Sequence, residues 1–249
     1  MQLSFMSYNI QHGLDYLRWQ REEEYRRQDM GDLPLMAQAI RRCKADIVGI
    51  NEVRGRGEIP QYTAQAEELA AMLGYHAYFA PAIYFEGRGP YGNALLSKYP
   101  IIRAERILIP DPPVQDEDTY YETRCLLKAQ LAVAGGITVY VCHFGLAMAE
   151  ARNAVKTLTA ELDRQSGPCV FMGDLNLTPQ SDILAPIYSR LQDTAAAFSR
   201  PQLSFPSDRP DRKIDYIFTS RDIKVLSAEI PEVIAADHRP HTALLEIGG

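Results

Sequence analysis

The chain has 249 residues, of which 46% are hydrophobic and 23% are charged, and its formal net charge is −6. This composition predicts a single domain over residues 1–249 and excludes a disordered chain, since no low-complexity tract or long block of like charge occurs. The acidic balance disfavours a protein that holds long nucleic acid mainly by neutralising phosphates. It does not exclude an enzyme, because the carboxylates of a metal site also make a chain acidic.

The four cysteines form no CxxC pair, and three of them, Cys125, Cys142 and Cys169, lie in apolar runs. We expect small buried thiols in a reducing compartment, in preference to disulfides or a zinc site. The N-terminal segment has no basic stretch followed by a long apolar one, and no segment reaches the length of a membrane span. A cytoplasmic location is therefore the default expectation.

The predicted elements begin with a strand over residues 3–8. The charged segment 15–32 suits either an exposed helix or an ordered loop. An amphipathic helix at 34–44 leads into DIVGI, a short continuous apolar run that is typical of a strand buried on both faces. A second helix, at 63–73, is followed by Gly74, which suits a helix C-terminus.

Strand patterns dominate the next part of the chain. Five strands are predicted, at residues 75–80, 93–97, 101–109, 125–133 and 137–143. A helix at 147–165 and a buried strand at 169–172 follow, and the last third adds strands at 213–219, 223–229 and 242–247. Because hairpin-like strand pairs lie between the helices, the pattern disfavours a purely parallel sheet. It favours an α/β fold with two mixed β-sheets packed face to face and helices outside, a four-layer sandwich.

Polar residues follow several of the buried strands, and this pattern points to function. They are Asn9, Glu52, His143, Asp174, Asn176 and Asp215, with Asp237 and His238 just before the last strand. A buried carboxylate is costly unless it is paired, hydrogen-bonded or bound to metal. Any one of these residues alone could cap a turn or enter a loop. Together they predict one site at the edge of a sheet.

The candidate ligands are mainly carboxylate and amide oxygens, which suit Mg²⁺ or Mn²⁺. The sequence has no HExxH and no cysteine ligand set, so a structural or protease-type zinc site is disfavoured. It also lacks GxxxxGK[ST] and GxSxG, which disfavours nucleoside-triphosphate hydrolysis and serine-esterase chemistry. With two histidines among the acids, the pattern predicts metal-assisted hydrolysis of a phosphoryl group.

The motifs SYNIQHG, NE, YGNALLSKYP, CHFGL, GDLNLTP, KIDYIF and ADHRP occur in the order seen in the endonuclease/exonuclease/phosphatase superfamily. The chain resembles this superfamily over residues 9–238, and GDLN with a downstream DH is the specific part. The resemblance implies a deoxyribonuclease I-like αββα sandwich and metal-dependent hydrolysis of phosphate esters. His143 resembles the nuclease, sphingomyelinase and inositol-polyphosphate 5-phosphatase branches, and disfavours exonuclease-III-type enzymes, which usually lack it. Ala236 departs from the serine of many members, with little expected effect.

The resemblance also implies metal ligands and a water-activating pair. Glu52 would be the main metal ligand, assisted by Asn9, and Asp237 would bind the metal or its water. Asp215 would orient His238, which would activate or orient the attacking water. Whether His238 or Asp174 takes the proton from that water stays open.

Other residues are expected to face the substrate. Asn176 would donate to the phosphoryl oxygens, and His143 would stabilise their charge or help the leaving group. Arg124 resembles a family arginine that reaches the phosphate, although an ordinary strand-edge arginine is an equal alternative. Tyr120 and His12 are further candidates for substrate contact, with packing and a loop position as the alternatives. We assign structural roles to His76, His241 and Asn93.

The sequence thus predicts a phosphodiesterase or phosphatase, with a small phosphoester or a phospholipid headgroup slightly favoured as substrate. A nuclease acting on DNA or RNA is the alternative. A non-catalytic binding scaffold of the same fold is disfavoured, because no expected site residue has been lost. The segments 15–32, 54–61, 85–91 and 111–123 carry no decodable substrate signature, and the oligomeric state is not predicted.

Overall fold

The computed structural model describes residues 1–248. The helices and strands are β1 (Gln2–Asn9), α1 (Tyr16–Arg21), α2 (Glu23–Gln28), α3 (Leu33–Cys43), β2 (Ile47–Arg54), α4 (Gln65–Leu73), β3 (His76–Phe85), β4 (Gly89–Ser97), β5 (Ile101–Leu108), β6 (Cys125–Leu131), β7 (Ile137–Cys142), α5 (Met148–Leu162), β8 (Cys169–Asp174), α6 (Ala185–Tyr188), β9 (Gln192–Asp193), β10 (Asp215–Thr219), β11 (Lys224–Glu229) and β12 (His241–Glu246). Short 3₁₀ turns cover Gln11–Gly13, Asp182–Leu184 and Thr194–Ala197.

The strands form two mixed sheets of six strands each. The first has the order β11-β12-β1-β2-β4-β3 and the second the order β5-β6-β7-β8-β10-β9. The pairs β1/β2 and β7/β8 are parallel, whereas the other neighbouring pairs are antiparallel. The prediction of two mixed sheets is therefore confirmed.

Alternating side chains of the central strands divide the interior into three apolar clusters. Leu3 and Phe5 of β1 pack with Val139 and Met172 of the second sheet, in the layer between the sheets. On the outer face of the first sheet, Met6 and neighbouring strand residues pack against α3 and α4. On the outer face of the second sheet, the strands pack against α5 and α6. The result is the expected order of helices, sheet, sheet and helices.

Local sequence explains where the main helices begin and end. The side chain of Asp32 accepts a hydrogen bond of 3.1 Å from the amide of Leu35 at the start of α3, which also has proline in its first turn. Gly74 ends α4 with a φ of +72°, a conformation that glycine adopts without steric cost. At the start of α5, Glu150 accepts from the amide of Ala147.

The structure refines several predicted boundaries. The charged segment 15–32 contains two short helices, α1 and α2, which settles the choice between helix and loop in favour of helix. The segment 85–91 takes in the end of β3, the hairpin turn at 86–88 and the start of β4, and Gly87 and Gly89 both have positive φ. Strand β2 runs past the apolar DIVGI to Arg54, through Asn51 and Glu52.

Other expectations concern the cysteines and the membrane. All four cysteines are free thiols: three are buried and Cys43 is partly buried. Within residues 1–248, no helix combines the length and the apolar character needed to cross a membrane.

Candidate active site

The fold brings the polar strand ends to one place. Asn9 ends β1, Asp174 ends β8 and Asp215 begins β10, where it lies directly opposite Asp174 in the antiparallel register. His143 follows β7, the parallel neighbour of β8. The pairing of β2 with β4 is irregular between Ile50 and Val53, and Glu52 lies in this bulge with a φ of +60°. Because a bulge redirects a side chain out of the regular alternation, it explains how Glu52 joins the site.

A cleft of about 320 Å³ opens over these residues. Its walls are formed by Glu52, Tyr91, Tyr120, Glu122, Arg124, His143, Leu146, Asp174, Asn176, Phe205, Asp237 and His238. Asn9 and Asp215 are buried and contact the wall residues Glu52, Asp174 and His238. His12 is not among the lining residues; its Nε2 lies 3.1 Å from Asp29 Oδ1. Of the predicted site residues, all except His12 thus lie in the wall of this cleft or directly behind it.

Glu52 is held from two sides. Asn9 Nδ2 donates to Glu52 Oε1 at 2.9 Å and to Asp174 Oδ2 at 3.1 Å, and the Tyr91 hydroxyl donates to Glu52 Oε2 at 2.9 Å. Burial alone would raise the pKa of Glu52, but the hydrogen bond from the Asn9 amide and the charge of the His238 ring oppose burial, and the pKa lies below its usual value. The Asn9 oxygen accepts from the Gln11 amide at 3.0 Å, so Asn9 presents its nitrogen to the acids. To bind a metal beside these acids, Asn9 would have to turn its amide so that the oxygen faces them.

His238 and Asp215 form a buried pair, with His238 Nδ1 2.8 Å from Asp215 Oδ2. The other ring nitrogen, Nε2, lies 3.5 Å from Asp174 Oδ2. Burial opposes protonation of His238, but the facing carboxylates of Asp215 and Asp174 outweigh it and raise the pKa well above its usual value. Phe205 covers the ring, with 4.7 Å between the ring centroids. This geometry fixes the orientation of the imidazole, with Nδ1 on Asp215 and Nε2 toward Asp174.

His143 has a different kind of partner. Its Nδ1 lies 3.0 Å from Arg124 Nη1, and its Nε2 lies 3.4 Å from Asp174 Oδ2 and 3.1 Å from Asn176 Nδ2. Since a guanidinium can only donate, Nδ1 must accept, and Nε2 carries the ring hydrogen, which is directed to Asp174 Oδ2. The Asn176 amide nitrogen beside it donates to the Phe144 carbonyl at 3.0 Å. Burial, followed by the charge of Arg124, lowers the pKa of His143 well below its usual value. His143 is therefore a neutral ring.

The cleft has an excess of buried acid. Burial, together with the neighbouring carboxylates, outweighs the opposing effect of His238 and raises the pKa of Asp174 to about 6 and that of Asp237 to about 7. Within residues 1–248, Asp237 Oδ1 is buried without a hydrogen-bond partner, and so is Asp215 Oδ1. Oxygen donors in this state suit a hard divalent cation, which would offset the charge of the acids.

A second grouping of possible ligands overlaps the first. Ligand atoms of Asp174, Asp215 and His238 lie within 4.8 Å of one another. His238 Nδ1 and Asp215 Oδ2 already form a hydrogen bond of 2.8 Å, and a metal bound there would compete with it. On the other side of the cleft, both oxygens of Glu52 accept hydrogen bonds, whereas Asp237 Oδ1 has no such partner within the described residues.

A buried amide network supports Asp174 from behind. Asn51 Oδ1 accepts from the Asp174 amide at 2.9 Å, and Asn51 Nδ2 donates to Asn93 Oδ1 at 2.8 Å. Asn93 in turn donates to the carbonyl of Cys125 at 3.0 Å, in the other sheet. Gly173 is required beside Asp174, since its φ is +156° and a Cβ there would overlap the carbonyl oxygen of Cys142. The glycine of the GDLN motif is therefore required by the close approach of β7 to β8.

Several lining residues had not been identified from the sequence: Tyr91, Glu122, Leu146 and Phe205. Tyr91 had a weak signal, because it begins the YGNALLS motif, while Glu122 stands two positions before Arg124 in a loop without periodicity. Burial, opposed by Arg124, raises the pKa of Glu122. Of the predicted substrate contacts, Arg124 is buried in the wall and Tyr120 is 58% exposed at the cleft.

Comparison with known proteins gives consistent matches along the chain. A family model described as the Endonuclease/Exonuclease/phosphatase family matches residues 6–238. YbhP of Escherichia coli strain K12 is 28% identical over 235 residues, which cover 86% of this chain and 88% of YbhP. An endonuclease/exonuclease/phosphatase from Bacteroides vulgatus has a TM-score of 0.76 at 21% identity, with 99% of each chain covered. The mannosyl-6-phosphatase of Bacteroides thetaiotaomicron also has a TM-score of 0.76, at 16% identity, with 98% of this chain and 99% of that chain covered.

Proposed function

Because the chain belongs to the endonuclease/exonuclease/phosphatase family, we propose that it is a divalent-metal-dependent hydrolase of phosphate esters. The reaction is in-line attack of water on phosphorus. The observation that carries this proposal is the meeting of Glu52, Asp174, Asp237 and the His238–Asp215 pair in one cleft, with His143 facing the same acids. Buried acids in such number serve no packing purpose, and a cation with a phosphoryl group accounts for them.

The donor set fits a hard metal ion, with Glu52 and Asp237 as its proposed ligands and Asn9 in support. Asp237 contributes a buried oxygen that has no partner within the described residues, and Glu52 is a carboxylate at neutral pH. When bound, Mg²⁺ or Mn²⁺ offsets the charge that develops on the phosphoryl oxygens.

The chain's own groups have distinct tasks in this mechanism. Asp215 holds Nδ1 of His238, so that Nε2 points toward Asp174 and into the cleft. The attacking water would bind between His238 and Asp174; His238 would orient it, and Asp174 would take its proton as the water oxygen bonds to phosphorus. Asn176 and the Nε2 hydrogen of His143 would donate to the phosphoryl oxygens. The ester oxygen then leaves as its bond to phosphorus breaks.

The dimensions and charge of the cleft favour a small substrate. A volume of about 320 Å³ lies at the lower end of the range typical for small-molecule sites. The net charge of −6 also gives little attraction for a long polyanion. We therefore propose a small phosphoester or a phospholipid headgroup as substrate, in preference to DNA or RNA.

The test is hydrolysis with Mg²⁺ or Mn²⁺, and with EDTA as control, of p-nitrophenyl phosphate, bis-p-nitrophenyl phosphate, sphingomyelin, inositol polyphosphates, plasmid DNA and RNA. We expect metal-dependent turnover of a small ester, lost in His238→Ala and kept in His76→Ala, which removes an exposed histidine from β3. Faster turnover of DNA or RNA would favour the nuclease alternative. Full activity of His238→Ala would refute the proposed site.

A further inference from the structure

The segment that precedes β6 carries a buried ion pair into the cleft. Glu122 and Arg124 are each only 9% exposed, although both lie outside regular secondary structure. Arg124 Nη1 lies 2.7 Å from Glu122 Oε1 and 3.0 Å from His143 Nδ1. A single guanidinium nitrogen therefore contacts both a carboxylate and the imidazole that faces the proposed reaction site.

This segment is fixed in place by the start of α5. The Glu122 amide donates to Glu150 Oε1 at 2.9 Å, and the same carboxylate accepts from the Ala147 amide. A few residues earlier, Glu117 accepts from the first two amides of the helix, those of Met148 and Ala149, at 2.7 and 2.9 Å. Because its backbone is held in this way, Glu122 has a defined position from which to hold Arg124.

We propose that Glu122 is a positioning residue, which holds Arg124 against Nδ1 of His143 and so keeps the hydrogen of the neutral ring on Nε2. Nε2 faces the cleft and lies 3.4 Å from Asp174 Oδ2. If the proposed hydrolysis holds, His143 is a fixed hydrogen-bond donor to a phosphoryl oxygen of the substrate. His143 is not a proton donor to the leaving group, because protonation of Nδ1 would place an imidazolium against a guanidinium.

The direct test is ¹⁵N NMR of histidine-labelled protein without substrate. The chain has five histidines, so the His143 signals can be assigned by comparison with His143→Gln. We expect a protonated Nε2 and an unprotonated Nδ1, unchanged between pH 6 and 8. In Glu122→Ala the ring should exchange between tautomers or titrate in this range. Glu122→Gln should keep the wild-type signals, because it retains the side-chain oxygen that lies 2.7 Å from Arg124 Nη1.

Asp118→Asn is the matched control, since it removes an exposed carboxylate from the same segment and should leave the signals unchanged. A wild-type ring protonated on Nδ1 would overturn the inference, and so would Glu122→Ala with wild-type signals. These measurements need no turnover, so they stand even if the proposed hydrolysis fails. On an active substrate, Glu122→Ala should lower kcat about 10- to 100-fold with little change in KM, and Glu122→Gln should restore most of the loss.

Discussion

Replacement of His241 by glutamine is expected to make the folded protein less sensitive to acid. His241 is fully buried. Its Nδ1 donates to the carbonyl oxygen of Asp215 at 3.2 Å, so its Nε2 must accept from the Thr194 hydroxyl at 3.0 Å. Burial, followed by the charge of Lys213, lowers the pKa of His241 to about 3, from 6.5. The ring therefore stays neutral in the folded protein at pH values where an exposed histidine is charged.

The pH dependence follows from the sign of this shift. Because the pKa of His241 is lower in the folded protein, the unfolded chain takes up a proton first as the pH falls. The contribution is complete above the unfolded pKa, and it is lost progressively between that value and the folded pKa. At pH 5, about 1.5 units below the unfolded pKa, the ring is charged in the unfolded chain and still neutral in the folded protein. This lowers the free energy of unfolding by about 2 kcal/mol relative to pH 7. Any folded pKa below about 4 gives the same figure.

The assay is urea unfolding of the wild type and of His241→Gln at pH 7 and pH 5. Between these pH values the wild type should lose about 2 kcal/mol more of its free energy of unfolding than the variant does. Groups that titrate in both proteins, such as His238 and Asp237, largely cancel in this difference. The exposed His76→Gln should behave as the wild type. Equal losses in the wild type and His241→Gln would refute the reasoning.

Three further substitutions test other parts of the site. Glu52→Gln should weaken Mg²⁺ or Mn²⁺ binding roughly 10-fold or more in calorimetry, and unchanged affinity would contradict its role as ligand. Asn51→Ala leaves the buried amide of Asp174 without its acceptor and should lower the free energy of unfolding by about 1–3 kcal/mol; an unchanged urea midpoint would speak against this bond. Gly173→Ala forces a Cβ onto the carbonyl of Cys142 and should cost more than about 3 kcal/mol in the same assay. A near-wild-type Gly173→Ala protein would mean that the backbone there relaxes freely.

The sequence predicted the strands well because their buried apolar runs are continuous and end at polar residues. The segment 15–32 was ambiguous, since its charges suit an exposed helix and a loop equally well. The structure resolves it as α1 and α2, and Asp29 just after α2 accepts from Arg54 and contacts His12. A loop histidine cannot be assigned a direction from sequence alone, because its partner lies on another element.

The sequence indicated which residues form the site, but not the contacts that orient their side chains. The left-handed φ of Glu52 depends on the bulge between β2 and β4, which local sequence does not encode. Likewise, nothing near Glu122 indicates that it is buried beside Arg124 and that Arg124 contacts His143, since these contacts join separate segments. Motifs identify the residues that end strands, whereas the residues that orient them become visible only when the segments are packed together.

The most direct test of the account is hydrolysis of bis-p-nitrophenyl phosphate with Mg²⁺ in ¹⁸O-labelled water, analysed by mass spectrometry of both products. We expect p-nitrophenyl phosphate that carries one ¹⁸O atom and unlabelled p-nitrophenol, because water attacks phosphorus and the ester oxygen leaves. Turnover should disappear with EDTA and in His238→Ala. Label in the p-nitrophenol, or labelled phosphate formed equally well by His238→Ala, would contradict water attack on phosphorus at this cleft.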